Sequence, residues 1–116
     1  MKQPRKPPRK VRLGPHTYRL RIGRGASWAV RTEGELGHTE LDTFRISVDG
    51  DRPESGVAET VLHELLHVCW RQAALAEADG GRDLEEQAIT ALAPLLLQLI
   101  RLNPGLIQFL AGPETK

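Results

Sequence analysis

His63, Glu64 and His67 carry the side chains in this 116-residue sequence best suited to chemistry. Residues four apart on an α-helix stand one above the other, so the His-Glu-x-x-His spacing aims both imidazoles at one point. Imidazole nitrogen binds Zn²⁺ at about 2.0–2.1 Å, and a catalytic zinc site keeps three protein ligands and one position open to water. Glu64, about 100° further round the helix, reaches such a water without being a ligand. The neighbours Val61, Leu62, Leu65, Leu66 and Val68 are apolar. Two histidines and a glutamate in that setting are costly to bury unless a partner compensates them, and a metal ion compensates all three. Zn²⁺ is therefore the expected cofactor, with His63 and His67 as ligands and Glu64 as the catalytic residue.

Two histidines do not complete such a site, so a third ligand must come from an element packed on the metal helix. Glu85 and Glu86 follow a short connection that makes the two helices antiparallel neighbours and returns the chain to the level of His67. Glu85 falls near the centre of the second helix's apolar stripe, where an unpaired carboxylate is expensive. Glu86 falls toward its edge, where it also suits a capping box with Asp83. His16 and His38 are alternative ligands on other elements, and both read more simply as surface residues. Cys69 lies about 200° round the helix from His67 and reads as a small core residue.

The elements that position these groups follow from periodicity. His16 to Ile22 alternates polar and apolar residues, which predicts a strand with Tyr18, Leu20 and Ile22 inward. Ser27–Arg31 reads as a second strand, Thr32–Leu41 as turns, and Thr43–Asp49 as a strand with Phe44, Ile46 and Val48 on one side. Ser55 is the expected N-cap of the metal helix, which should run to about Ala78 and end at Gly80-Gly81. Asp83 should cap a second helix from Leu84 to about Leu102, with Leu84, Ala88, Ile89, Leu92, Leu95, Leu96 and Leu99 as its stripe. Pro94 should bend that helix, and Leu106–Leu110 add a last turn or two. The expected fold class is α+β: a small antiparallel or mixed sheet, then the metal helix, then a second packed, ligand-bearing helix.

The segment Thr60 to Cys69 resembles the zincin metallopeptidase motif, and Glu85 to Ala93 resembles the ligand helix of gluzincins. Compared with the repressor-cleaving ImmA/IrrE type, Glu86 takes the zinc-ligand position and Thr90 the position that supports a histidine. The arrangement from about Leu41 to Leu110 also resembles small metallopeptidase-like proteins of bacteriophages. The resemblance implies a minimal zincin fold and a protein or peptide substrate bound along the strand before the metal helix. It selects Glu86, whereas the stripe selects Glu85. The chain departs from the family in being very short and in lacking the extra domains that usually select a substrate.

The whole chain bounds these readings. One domain is expected, large enough to fold without disulfides. The lone cysteine, the absence of a signal-peptide pattern and the lack of a membrane-length apolar run predict a cytoplasmic protein, in a bacterial host on the phage resemblance. The net charge of +1 hides an uneven distribution. Lys2, Arg5, Lys6, Arg9, Lys10 and Arg12 carry six positive charges with no acid among them, leaving ten basic residues against fifteen acidic ones elsewhere. Residues 1–13 thus read as a basic, proline-rich disordered arm, 14–112 as the domain and 113–116 as a tail. The arm either solubilises the protein or makes weak contact with nucleic acid or an acidic partner. The expected function is zinc-dependent hydrolysis of a peptide bond with Glu64 as general base. The alternative is a catalytically weak or inactive zinc-stabilised binding module of phage or mobile-element origin.

Overall fold

The structure, a computed structural model, describes residues 6–24 and 36–113. Its elements are strands β1 (Lys10–Leu13), β2 (His16–Gly23), β3 (Gly37–Glu40) and β4 (Arg45–Asp49), then helices α1 (Glu54–Gln72), α2 (Gly81–Leu102) and α3 (Pro104–Ala111). A short 3-10 turn, Leu75–Glu77, joins α1 to α2. The fold is α+β, with a mixed sheet in the order β1-β2-β4-β3. β1 and β2 are antiparallel, β2 and β4 parallel, and β4 and β3 antiparallel.

Alternation in the strands builds the core. Tyr18, Leu20, Ile46 and Val48 turn to one face and bury there with Val68 of α1, while Val57, Val61 and Leu65 pack around them. Arg52 fixes how α1 leaves the sheet. Its guanidinium donates to the Asp49 carbonyl at the end of β4 (3.1 Å) and to Thr60 Oγ1 (2.9 Å), and Thr60 donates in turn to the Gly56 carbonyl (3.0 Å). At the other end, Gln72 Nε2 donates to the Leu13 carbonyl (2.8 Å), tying α1 to the β1–β2 hairpin.

Several expectations need correction. Residues 10–13 are not part of an arm. They form β1, joined to β2 through Gly14 (φ 64°) and Pro15, a two-residue loop whose first position needs the positive φ that glycine supplies. Val11 and Leu13 pack against the core between outward Lys10 and Arg12. Gly37–Glu40, expected within a stretch of turns, is the edge strand β3. The proposed strand Ser27–Arg31 lies outside the described residues. The strand expected from Thr43 begins only at Arg45, because Phe44 has φ 55°. Its ring nevertheless meets Tyr18 edge-on and stacks on His16.

The helix ends also differ. Pro53, not Ser55, precedes α1. The helix stops at Gln72 rather than Ala78, since Ala74 turns into the left-handed region (φ 59°) and sends the chain back. Gly80, not Asp83, precedes α2, which starts at Gly81. A side chain at residue 81 would collide with the Leu75 carbonyl. α2 continues past Pro94 to Leu102.

The face that α2 buries is Gly81, Glu85, Ile89 and Ala93. The expected stripe is shifted round the helix, so Leu84, Leu92, Leu95 and Leu99 are exposed. On that row Trp70 of α1 donates to the Gly81 carbonyl at 3.1 Å. Cys69 is exposed rather than in the core. No single helix among the described residues is long and apolar enough to cross a membrane, and α2 and α3 meet at a bend of 96°.

Candidate metal centre

His63 and His67 stand on α1 between the sheet and α2, each with 21 % of its side chain exposed. Their Nε2 atoms lie 3.2 Å apart. Glu86 reaches over from α2, with Oε1 2.7 Å from His63 Nε2 and Oε2 3.1 Å from His67 Nε2. Among the described residues these three form a group able to hold a metal ion. Neither His16, which stacks on Phe44, nor His38, exposed on β3, joins it.

Glu85, one residue earlier, does something different. It is 5 % exposed and bonded to α1. Its Oε2 accepts from His67 Nδ1 at 2.6 Å and from Arg71 Nε at 3.3 Å, and the same Nε pairs with Oε1 at 3.1 Å. Burial disfavours the Glu85 anion, yet the hydrogen bonds from His67 and Arg71, with the charges of both, hold its carboxyl below the ordinary range. An ionised carboxylate only accepts, so Nδ1 of His67 must carry the proton. In neutral His67 the Nε2 lone pair then points at His63 and Glu86.

That arrangement tests whether a metal suits the site. A lone pair facing a carboxylate oxygen at 3.1 Å is repulsive unless a proton or a cation lies between them. Metal–nitrogen bonds of about 2.0 Å in a tetrahedron put neighbouring ligand atoms about 3.3 Å apart. The observed separations of 2.7, 3.1 and 3.2 Å are close to that edge. The donor set fits a small divalent cation that accepts nitrogen and oxygen.

The two glutamates answer the question of which reaches the trio. Successive residues on a helix point about 100° apart, so Glu85 enters the helix interface and Glu86, 65 % exposed in its side chain, overhangs the opening. Residue 85 is buried, as its place on the apolar stripe predicts, and its carboxylate is compensated by His67 and Arg71. Thr90 was expected to support a histidine. Its hydroxyl instead lies 3.5 Å from Glu86 Oε1, and Glu85 is the residue bonded to a histidine. No signal in the sequence distinguished that role, because it depends on how the two helices are rotated about their axes.

Glu64 is buried and lines the same cleft, of about 620 Å³, as the two histidines and Glu86. The Thr39 hydroxyl of β3 donates to Glu64 Oε1 at 2.6 Å. Gly37 lets β3 come this near: an added Cβ would stand 2.7 Å from Thr60 Cγ2 and 3.0 Å from Glu64 Cγ. Sequence reasoning missed Thr39 and Gly37, which meet Glu64, and Arg71, which meets Glu85. It also placed β4 along the cleft, whereas β4 is paired on both sides and β3 is the strand at the opening. Comparison with protein-family models, curated proteins and solved structures finds no match for the chain.

Proposed function

We propose that the protein is a zinc-dependent hydrolase of peptide bonds with a minimal zincin-type fold, in which His63, His67 and Glu86 hold the ion and Glu64 is the general base. One observation carries the reading: three ligand atoms converge at near-tetrahedral spacing beside a buried carboxylate that is not one of them. Zinc held by these residues would polarise a carbonyl and lower the pKa of a bound water toward 7. Glu64 takes the proton from the attacking water and passes it to the leaving amine. Thr39 holds Oε1 of Glu64 in place, which leaves Oε2 as the accepting atom. Glu85 keeps the ring of His67 turned so that Nε2 faces the ion.

The peptide lies along β3. As the terminal strand of the sheet among the described residues, it offers backbone groups to an extended chain at the mouth of the cleft, the usual form of β-augmentation. A bacterial cytoplasm agrees with the single cysteine.

A second reading is a zinc-stabilised binding module. It is favoured by the burial of Glu64 and its short bond to Thr39, which would tie β3 to α1 even without chemistry. Elemental analysis of tag-free protein should find one zinc per chain; none after incubation with the ion at neutral pH would overturn both readings. Glu64→Gln should retain zinc while hydrolysis of a peptide library falls about 10²–10⁴-fold, the usual contribution of a general base. Undiminished cleavage with zinc still bound would exclude the mechanism, and zinc without cleavage in the parent protein would favour the module.

A further inference from the structure

The face of the sheet turned away from α1 carries a block of positive charge. Val11, Leu13, Tyr18, Leu20, Ile22, Ile46 and Val48 point to the core, so strand alternation turns Lys10, Arg12, Arg19, Arg21 and Arg45 outward. All five are exposed. The strand register lines three of them up: Lys10 stands opposite Arg19, and Arg19 opposite Arg45. The only acid in that row is Glu40, at its end, and its carboxylate accepts from Thr43. Among the described residues no carboxylate pairs with Lys10, Arg12, Arg19 or Arg45. Like charges directly opposite one another weaken a strand pair, so this row costs stability that an external anion would return. Exposed Lys6 and Arg9 extend the charge from the start of β1, and Lys2 and Arg5 precede them in sequence.

We propose that this face binds the phosphate backbone of duplex DNA without reading its sequence. Neighbouring strands lie about 4.8 Å apart, so the row from Lys10 to Arg45 is roughly 10 Å wide. That matches phosphates bordering a B-form major groove of about 12 Å, while the A-form groove of RNA is too deep and narrow to admit it. No phenylalanine, tyrosine or tryptophan stands among the outward strand residues described. The face therefore lacks the stacking platforms on which single-strand binding depends. The cleft is mainly acidic, with Glu59, Glu64, Glu85 and Glu86 against Arg71 in its lining. The sheet face is the more positive surface and lies apart from the cleft, so DNA and a peptide can be held at once.

Fluorescence anisotropy of the full chain with a labelled duplex of about two helical turns tests this. Binding at 50 mM salt should weaken about 10²-fold at 200 mM, as expected for four phosphate contacts, and two unrelated duplex sequences should bind equally. The triple variant Arg12→Gln, Arg19→Gln, Arg45→Gln should bind at least tenfold more weakly at 50 mM and lose about 2.7 from the salt slope. Its urea midpoint should not fall, since like-charge contacts are removed, so a folded variant that no longer binds supports the assignment. Absence of duplex binding by the parent at 50 mM would overturn the proposal, as would unchanged binding by the triple variant. Complete loss on changing only Lys2, Arg5, Lys6 and Arg9 to Gln would also overturn it, placing the contact on the arm. So would equal affinity for duplex RNA, single-stranded DNA or polyglutamate.

Discussion

Glu85 on α2 accepts a hydrogen bond from Nδ1 of His67 at 2.6 Å, on the side of the imidazole ring opposite the nitrogen that faces Glu86. Two adjacent glutamates thus grip the two nitrogens of one histidine, the first as orienting partner and the second as candidate ligand. Glu85→Gln should lower zinc affinity about 10–100-fold, the usual effect of losing such a partner, with one zinc still bound at saturation. Glu86→Ala removes a ligand and should weaken binding more. Competition with a chromophoric chelator ranks the two, and the reverse order would show that Glu85 is the ligand.

Gly37 is required by close packing, not by an unusual φ. A methyl group there meets Thr60, which is held by Arg52 and the Gly56 carbonyl, and Glu64, which is held by Thr39. Gly37→Ala should therefore push β3 away and destabilise the fold by about 1–3 kcal/mol, as overpacking does. Urea unfolding measures this, and an unchanged midpoint would show that the edge strand moves freely.

Arg101 in the last turn of α2 makes a bidentate pair with Glu54 in the first turn of α1, at 3.0 and 2.6 Å. The Arg101 hydrogen bond, with its charge, lowers the Glu54 pKa below its ordinary 4.5. A lowered folded value means the stabilisation is full above the unfolded pKa and is lost as pH falls through the folded one. Both groups are well exposed, so the pair should contribute at most about 1 kcal/mol and be screened by salt. Glu54→Gln should lower stability slightly at pH 7 and not at pH 2–3, as thermal unfolding across pH would show.

Deleting residues 1–8 should leave the fold intact, whereas deleting residues 1–13 removes β1. That strand buries parts of Val11 and Leu13 and pairs with the whole first half of β2. The larger deletion should cost about 2–4 kcal/mol from apolar burial alone. Equal urea midpoints for the two truncations would mean that β1 adds nothing to the sheet.

The sequence by itself determined the local features of this protein. The four-residue spacing of His63 and His67 set both imidazoles on one face of a helix, and alternation in β2 and β4 set Tyr18, Leu20, Ile46 and Val48 inward. The end of α2 at Leu102 was likewise legible. Where charge masked alternation, as in Lys10–Leu13, the strand was hidden: two outward cations outweighed two half-buried apolar residues in any reading of composition. Tertiary structure alone decided that Glu86 meets Nε2 of both histidines while Glu85 meets Nδ1 of His67, because the choice rests on the rotation of α2 about its axis. That rotation exposes leucines that periodicity assigned to the core. It also decided that β3, not β4, borders the cleft, and that cations distant in sequence meet in one row, since strand order and register are properties of pairing between segments and leave no local trace.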